Sequence, residues 1–405
     1  MSLISVEEAK ARLLASTYPL EAEMVSLLDA GGRILAKDLC AERTQPPFAA
    51  SAMDGYAVIA EDTNHSERPI QVIGEVAAGQ SFSGKVTKGS AVRIFTGAPV
   101  PDGADAILMQ ENADRESNIV FAKQPVSKGK FIRPEGLDFS KGEVLLKSGT
   151  KLDYRELSLA ASMNYSQLPV YKRPLVAILA NGDELVAPGE EPGPNQIVAS
   201  NQIGIARLAR ECDANVLLLG IAPDNKEQIA DKIKQALEAK ADILVTLGGA
   251  SVGDHDYIQE VLGQVGMSLE FWRIAMRPGK PLMAGHIGQT KVLGLPGNPV
   301  SSLVCALLFL KPILRKITGQ LDLGGERVAA ILGASLEEND FRQDFLRAEL
   351  TEDNNGNLVA TPFAIQDSSM LSMFTKAHAL IVRKPNAPAA QTGEQVNIIP
   401  LGPTF

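Results

Sequence analysis

Cysteine is nearly absent from this sequence. There are three, Cys40, Cys212 and Cys305, far apart and in no CxxC pair, so a disulfide framework is not expected and a reducing, cytoplasmic setting is. A surplus of positive charge is also missing. With 39 basic and 48 acidic side chains the net charge is −9, which repels phosphate polymers and argues against nucleic acid or an anionic membrane as partner. The most apolar stretch, Leu303 to Leu310, falls well short of the roughly 20 residues a bilayer span needs. The opening residues, Met-Ser-Leu-Ile-Ser-Val-Glu-Glu-Ala-Lys, have no basic start followed by an apolar run, so no signal peptide is expected. Only four histidines occur. His255 lies between two acids, but no second histidine stands at metal-ligand spacing, and neither a Ser-His-Asp nor a Cys-His arrangement can be argued. Repeats and low-complexity tracts are lacking too.

What is present is an ordinary globular composition, 45% hydrophobic and 21% charged, over 405 residues. That is too long for one core, so two to four domains are expected. Ser5-Val-Glu-Glu8 reads as a capping box, opening a helix with Ala9, Leu13 and Leu14 on one face. From about Pro46 to Asp138, short alternating runs such as Ile70-Gln-Val-Ile and many Gly and Pro predict a β-rich module. Helical signals return between Lys141 and Tyr171. From Arg173 to Gly319 strand and helix alternate: Leu175–Ala180, Val216–Ile221, Asp242–Leu247 and Val292–Leu295 read as buried strands. A helix capped by Ser200 and another marked by Ile229, Ile233 and Leu237 lie between them, so a parallel sheet with right-handed crossovers is predicted. The remainder is β-like, with Asn354-Asn-Gly356 as a hairpin turn between two strands.

Several strings carry chemistry. Thr246-Leu-Gly-Gly-Ala-Ser-Val-Gly-Asp254 follows a buried strand and precedes a helix, at the carboxyl edge where open sheets bind ligands. Gly248, Gly249 and Gly253 let amides turn toward an oxyanion and Ser251 adds a hydroxyl; a plain strand-to-helix turn would need glycine as well. No Gly-Lys-Ser/Thr closes the loop, so it is not a Walker A sequence. Acids follow the first three of these strands: Asp183 and Glu184, Asp224, then Asp254 and Asp256. Such a set at one sheet edge suits Mg²⁺ bridging oxyanions, although any one acid alone is more often a helix cap or solvated turn residue. Arg273, Arg277 and Lys280 bring fixed positive charge around the Pro278-Gly279 turn, either for an anion or as a solvated cationic turn. Leu295-Pro-Gly-Asn-Pro-Val-Ser-Ser302 ends another strand and opens a helix at Pro299. In the β module, Ser51-Ala-Met-Asp-Gly-Tyr56 and Arg93-Ile-Phe-Thr-Gly-Ala-Pro-Val-Pro101 read first as turns.

Taken together, the strings resemble the molybdopterin molybdenumtransferase family, the MoeA proteins and the E domain of gephyrin. The matching strings are Pro47 to Val58, Arg93 to Ile107, Asn181-Gly-Asp-Glu-Leu185, Gly248 to Tyr257, Met276-Arg-Pro-Gly-Lys-Pro281 and Leu295 to Ser301, in the family's order. The resemblance implies an α/β multidomain protein. Its parts are a helical, dimer-forming region (1–45 plus 141–171), an inserted β-rich module (46–140), a MogA/MoaB-like parallel α/β sheet domain (172–320) and a C-terminal small β-barrel domain (321–405). It implies a homodimer whose active site lies between the sheet domain of one subunit and the β module of the other. The implied reaction inserts molybdenum from molybdate into adenylylated molybdopterin and releases AMP, with Mg²⁺ as metal. By the same resemblance Asp54 and Thr96 come from the partner subunit, and Glu184, Asp224 and Asp256 handle the metal and the activated pterin. Gly248, Gly249, Ser251, Gly253, Arg273, Arg277 and Lys280 bind molybdate or phosphate. Pro296 and Pro299 shape the adjoining loop, and Arg347 with Ser368 and Ser369 edge the cleft. Expected partners are a MogA-like adenylyltransferase and molybdoenzyme chaperones. The sequence departs from the family at Leu137, usually an acid, at Asn181, usually a hydroxyl residue, and at Ala250, usually valine. A non-catalytic molybdopterin-binding scaffold and a molybdopterin adenylyltransferase are the alternative functions.

Overall fold

The computed structural model describes residues 3–249, 257–325 and 327–402. The chain forms two compact units: Met1–Glu23, Gly32–Ala36 and Pro169–Phe405 make one, Met24–Gly31 and Lys37–Leu168 the other.

The first unit opens with helix α1 (Val6–Ala15), whose Ser5 cap accepts a hydrogen bond from the Glu8 amide at 3.0 Å. The other half of the expected capping box is not made. Glu8 pairs instead with Arg12 one turn on, a charge-charge contact that a helix surface offers at that spacing. Val6, Ala9 and Leu13 bury their side chains in the core of the α/β sheet.

That sheet has six strands. β1 (Leu175–Asn181), β2 (Asn215–Ala222), β3 (Ile243–Leu247), β4 (Ser268–Trp272), β5 (Met283–Ile287) and β6 (Thr290–Leu295) stand in the order β2-β1-β3-β6-β5-β4. β2, β1, β3 and β6 are parallel, as expected from the alternation of strand and helix. β5 and β4 continue the sheet antiparallel, which the sequence reading did not anticipate; their short runs, broken by Gly285 and His286, lack the continuous apolar signature. Helices α2 (Asn201–Glu211), α3 (Lys226–Glu238) and α4 (Tyr257–Gln264) follow β1, β2 and β3, and α5 (Pro299–Cys305) follows β6. One strand departs from expectation: β2 stands at the sheet edge, so Leu218 remains 43% exposed instead of buried on both faces. β3, in the middle, is buried at all five positions.

The C-terminal strands close into a small barrel in which Gln343–Glu352 pairs with both Leu358–Pro362 and Ala379–Arg383, as expected of the region. The Asn354–Gly356 turn sits between the first two, with Asp353 accepting the Asn355 and Asn357 amides at 2.8 and 2.9 Å. A two-residue strand, Met276–Arg277, reaches from the α/β sheet's loops and pairs parallel with Gln343 and Asp344.

The second unit is β-rich, with a six-stranded mixed sheet centred on Gly55–Val58, Ser90–Ile94 and Ile70–Val76. Helix Tyr154–Ser162 also belongs to it, closed by a full capping box between Asp153 and Glu156. Among the described residues no helix is long and apolar enough to cross a membrane.

Candidate active site

At the carboxyl ends of β1, β3 and β6 the chain leaves the sheet on tight turns, and a cavity of about 380 Å³ opens there. Gly248, just after β3, makes the close approach possible. Its φ is +90°, and a Cβ would stand 2.7 Å from the Asn181 carbonyl oxygen at the end of β1. Only glycine combines that backbone with that contact. Gly249 also has positive φ, +65°. After β6, Gly297 comes near enough that its Cβ would touch Gly248 Cα at 3.7 Å, so the three strand ends share one corner.

The walls come from several elements. Ala180, Asn181, Glu184 and Leu185 follow β1; Ile197 to Gln202 lead into α2; Leu247 and Gly248 end β3; Gly297, Asn298 and Pro299 open α5; Ser369 reaches in from the barrel's connections. Asn201 Nδ2 donates to the Gly297 carbonyl at 2.6 Å, tying the start of α2 to the start of α5. The Ser302 hydroxyl donates to the Pro296 carbonyl, so this proline's turn is fixed from inside the helix. Ser200, expected to cap α2, occupies the cap position without a side-chain capping bond.

The acids occupy two places. Glu184 lines the cavity, its exposed carboxylate lying back over Gly182, where a Cβ would come within 2.3 Å of Oε2. Asp224 stands at the end of the neighbouring β2. Asn181 Nδ2 donates to its Oδ1 at 2.6 Å, and its backbone amide donates to Asp183 Oδ1 at 3.0 Å. Asn181, singled out as a departure from the family, is thus a fixed partner of an expected metal ligand. Among the described residues none donates a hydrogen bond to its own buried Oδ1, nor to the buried Gln202 Oε1. Ser251, Gly253 and Asp256 fall outside the described residues.

The expected cations are elsewhere. Arg277 spends its guanidinium on the barrel: Nε donates to Asp344 Oδ1 at 2.9 Å, one NH₂ to Asp344 Oδ2 and to Asn339 Oδ1 at 3.3 Å, and Asp340 lies 3.6 Å away. It borders a second cavity, about 470 Å³, with Asp344, Gln366 and Arg383. Burial pushes Asp344 up from its ordinary value, with Arg277 pulling the other way. Arg273 has φ +75° and its guanidinium carbon stands 4.3 Å from the centre of the Trp272 ring. Lys280 is exposed, and its carbonyl accepts the Ile274 amide at 2.9 Å.

Arg347 is not a surface cleft residue. It is 2% exposed, donating through Nε to Gln366 Oε1 at 3.1 Å and through NH1 to the Asp367 carbonyl at 2.7 Å. The segment it holds reaches the first cavity: Ser368 accepts the Val300 amide on its carbonyl at 3.1 Å and Asn298 Nδ2 on its hydroxyl at 2.9 Å. Ser369 then lines the wall and, by its amide and hydroxyl, holds the Asp367 carboxyl below its ordinary value. Gln366 and Asn298 were not among the expected residues; single side-chain amides in loops leave no pattern in one sequence.

In the second unit, Asp54 and Thr96 do come together. Asp54 Oδ1 accepts the Thr96 amide at 2.7 Å and its hydroxyl at 2.8 Å, and these two bonds lower its pKa.

Comparison with known proteins covers nearly the whole chain. Family models match residues 4–164 (MoeA N-terminal region, domain I and II), 177–316 (probable molybdopterin binding domain) and 329–401 (MoeA C-terminal region, domain IV). A protein of Haemophilus influenzae named molybdopterin molybdenumtransferase is 34% identical over 402 residues, 98% of each chain. One of the same name from Bacillus subtilis is 33% identical over 98% of this chain and 94% of its own. A solved structure, described as the molybdopterin biosynthesis MoeA protein of Pyrococcus horikoshii, superposes with a TM-score of 0.88 at 29% identity, covering 100% of both chains.

Proposed function

Because the chain belongs to the MoeA family of molybdopterin molybdenumtransferases, transferases of molybdenum cofactor biosynthesis, we propose that it inserts molybdenum from molybdate into adenylylated molybdopterin and releases AMP. The observation that carries this reading is the cavity at the carboxyl ends of β1, β3 and β6, with an acid at its rim and another pinned beside it. A phosphorylated heterocycle fits a site at that edge of a parallel sheet.

The roles divide by chemistry. Breaking the phosphoanhydride to AMP is downhill and supplies the driving force for molybdenum insertion. The glycine turn at Gly248 and Gly249 brings backbone close to the substrate's anionic part. Lys280 supplies mobile positive charge, whereas Arg277 must first leave or share Asp344 to reach an oxyanion. Arg347 acts through the 366–369 segment, setting Ser368 and Ser369 at the wall. Asp54, with Thr96 fixing its carboxylate, comes to the same cleft from a second subunit of a homodimer.

Among the described residues no three His, Cys, Asp or Glu side chains cluster as a closed metal cage. Mg²⁺ is commonly held by one or two carboxylates and completed by substrate phosphates, and the oxygens of Glu184 and Asp224, with Asp256 beyond the described residues, suit that open arrangement. When bound, the ion supplies charge neutralisation at the anhydride oxygens.

Replacing Asp224 by Asn and Glu184 by Gln, each alone, is expected to reduce Mg²⁺-dependent AMP release from adenylylated molybdopterin by at least about tenfold, as loss of one charge-stabilising contact does. Full rates in both variants would remove the metal assignment.

A further inference from the structure

Asp224 sits in the short link, residues 223–225, between β2 and α3, and the neighbouring strand holds it at two points. Asn181 is the last residue of β1 and pairs in register with Ala222 at the end of β2, which brings residues 181–183 alongside that link. Asp183 Oδ1 accepts the Asp224 amide at 3.0 Å and so fixes its backbone. Asn181 Nδ2 donates to Asp224 Oδ1 at 2.6 Å and so fixes its side chain. An ionised carboxylate can only accept, so this bond sets which way the Asn181 amide faces. Asn181 is 6% exposed, and among the described residues none donates to its own Oδ1. Burying that oxygen costs free energy; the end of the side chain put to use is its donor. Among the described residues Asp224 Oδ2 accepts no hydrogen bond and joins no ion pair.

We infer that Asn181 is a positioning residue for Asp224: its Nδ2 occupies Oδ1, sets the plane of the carboxylate and leaves Oδ2 as the oxygen offered to a cation. The inference rests on the proposed Mg²⁺-assisted reaction and adds to it a residue that acts only through Asp224. The energetics favour such a device. A carboxylate on a short link turns about its side-chain bonds, and a cation held by one or two carboxylates gains only what remains once that freedom is lost. A hydrogen bond already made to one oxygen takes up the loss on folding, and bonds to a charged acceptor are stronger than those between neutral groups. Position 181, where a hydroxyl residue is usual in the family, thus keeps a donor although the residue type differs.

The test measures binding of Mn²⁺, a paramagnetic substitute for Mg²⁺, to the intact protein with AMP present and no turnover. Asn181→Val and Asn181→Thr have the same shape and differ in one hydroxyl donor. Asn181→Val is expected to weaken Mn²⁺ binding about tenfold, as loss of one hydrogen bond to a charged group does, and Asn181→Thr to stay within about threefold of the unmodified protein. In the Asp224→Asn background Asn181→Val is expected to have no further effect, because a residue acting through Asp224 has nothing left to act on. A merely structural role gives the same loss in both backgrounds. Thermal midpoints accompany each variant, and Asn181→Ala replaces Asn181→Val if the latter does not fold. Where Asp224→Asn abolishes binding outright, the comparison with Asn181→Thr decides alone. Equal binding with and without the hydroxyl, or an additive loss in the Asp224→Asn protein, overturns the inference and leaves the metal assignment standing. No Mn²⁺ binding by the unmodified protein, or unchanged affinity in Asp224→Asn, overturns both. AMP release from adenylylated molybdopterin by the unmodified protein, followed on the same preparation, tests the transferase reading separately.

Discussion

Gly248 is the residue on which the corner of the site turns. Its φ of +90° and the 2.7 Å that would separate a Cβ from the Asn181 carbonyl leave no room for a side chain, so Gly248→Ala is expected to destabilise the protein by about 1–3 kcal/mol. A lowered denaturant midpoint measures this; an unchanged midpoint would mean that the strand ends are not packed as described. The glycine was legible in sequence because a glycine pair after a buried strand is a recognisable string. Its partner was not, since nothing in one sequence says that the carbonyl of residue 181 will face residue 248. Arg347 makes the same point. A resemblance placed it at the cleft, but burial and its bonds to Gln366 and Asp367 make it a positioning residue. Arg347→Lys keeps the charge and loses the fork, and is expected to cost about 1.5–3 kcal/mol through misplacement of the 366–369 segment. Thermal unfolding midpoints of the two proteins give the comparison.

At the scale of elements, alternation of apolar strands and helices predicted the parallel core because its four strands carry continuous apolar runs, β2 included although it lies half-exposed at the sheet edge. The antiparallel pair β4 and β5 carries polar and small residues, so it left no such trace. The short strand Met276–Arg277 falls where the sequence offers either an anion site or a solvated cationic turn, and its register places Arg277 opposite Asp344 in the barrel's sheet. Around it the charges have opposed pH dependence. Hydrogen bonds from Arg342 hold Asp340 at about 2, below the ordinary 3.8. A depressed carboxyl stabilises the fold above its unfolded value and loses that contribution as the pH falls through its folded value. Asp344, raised by burial, works in the other sense, contributing at low pH and losing its contribution as the pH rises. Asp340→Asn is therefore expected to flatten the loss of thermal stability between pH 3.8 and about 2. An acid limb as steep as in the unmodified protein would contradict the Asp340–Arg342 assignment.

For the whole molecule, the ordered set of strings identified the family, and the comparisons agree from residue 4 to residue 401. The physics of single segments stopped earlier, at an α/β sheet with a ligand edge. Of the acids named after the strands, Asp183, Glu184 and Asp224 lie among the described residues, at the ends of β1 and β2; Arg277's partner in the barrel was not legible, because contacts between segments far apart in sequence depend on closure of the fold. The central claim is that this protein couples AMP release to molybdenum insertion. The most direct measurement mixes it with adenylylated molybdopterin and Mg²⁺, with and without molybdate, and follows AMP together with reconstitution of a cofactor-free molybdoenzyme. The account predicts that molybdate triggers AMP release and the appearance of enzyme activity in parallel. AMP release with no active molybdoenzyme formed, or no release at all, would contradict it.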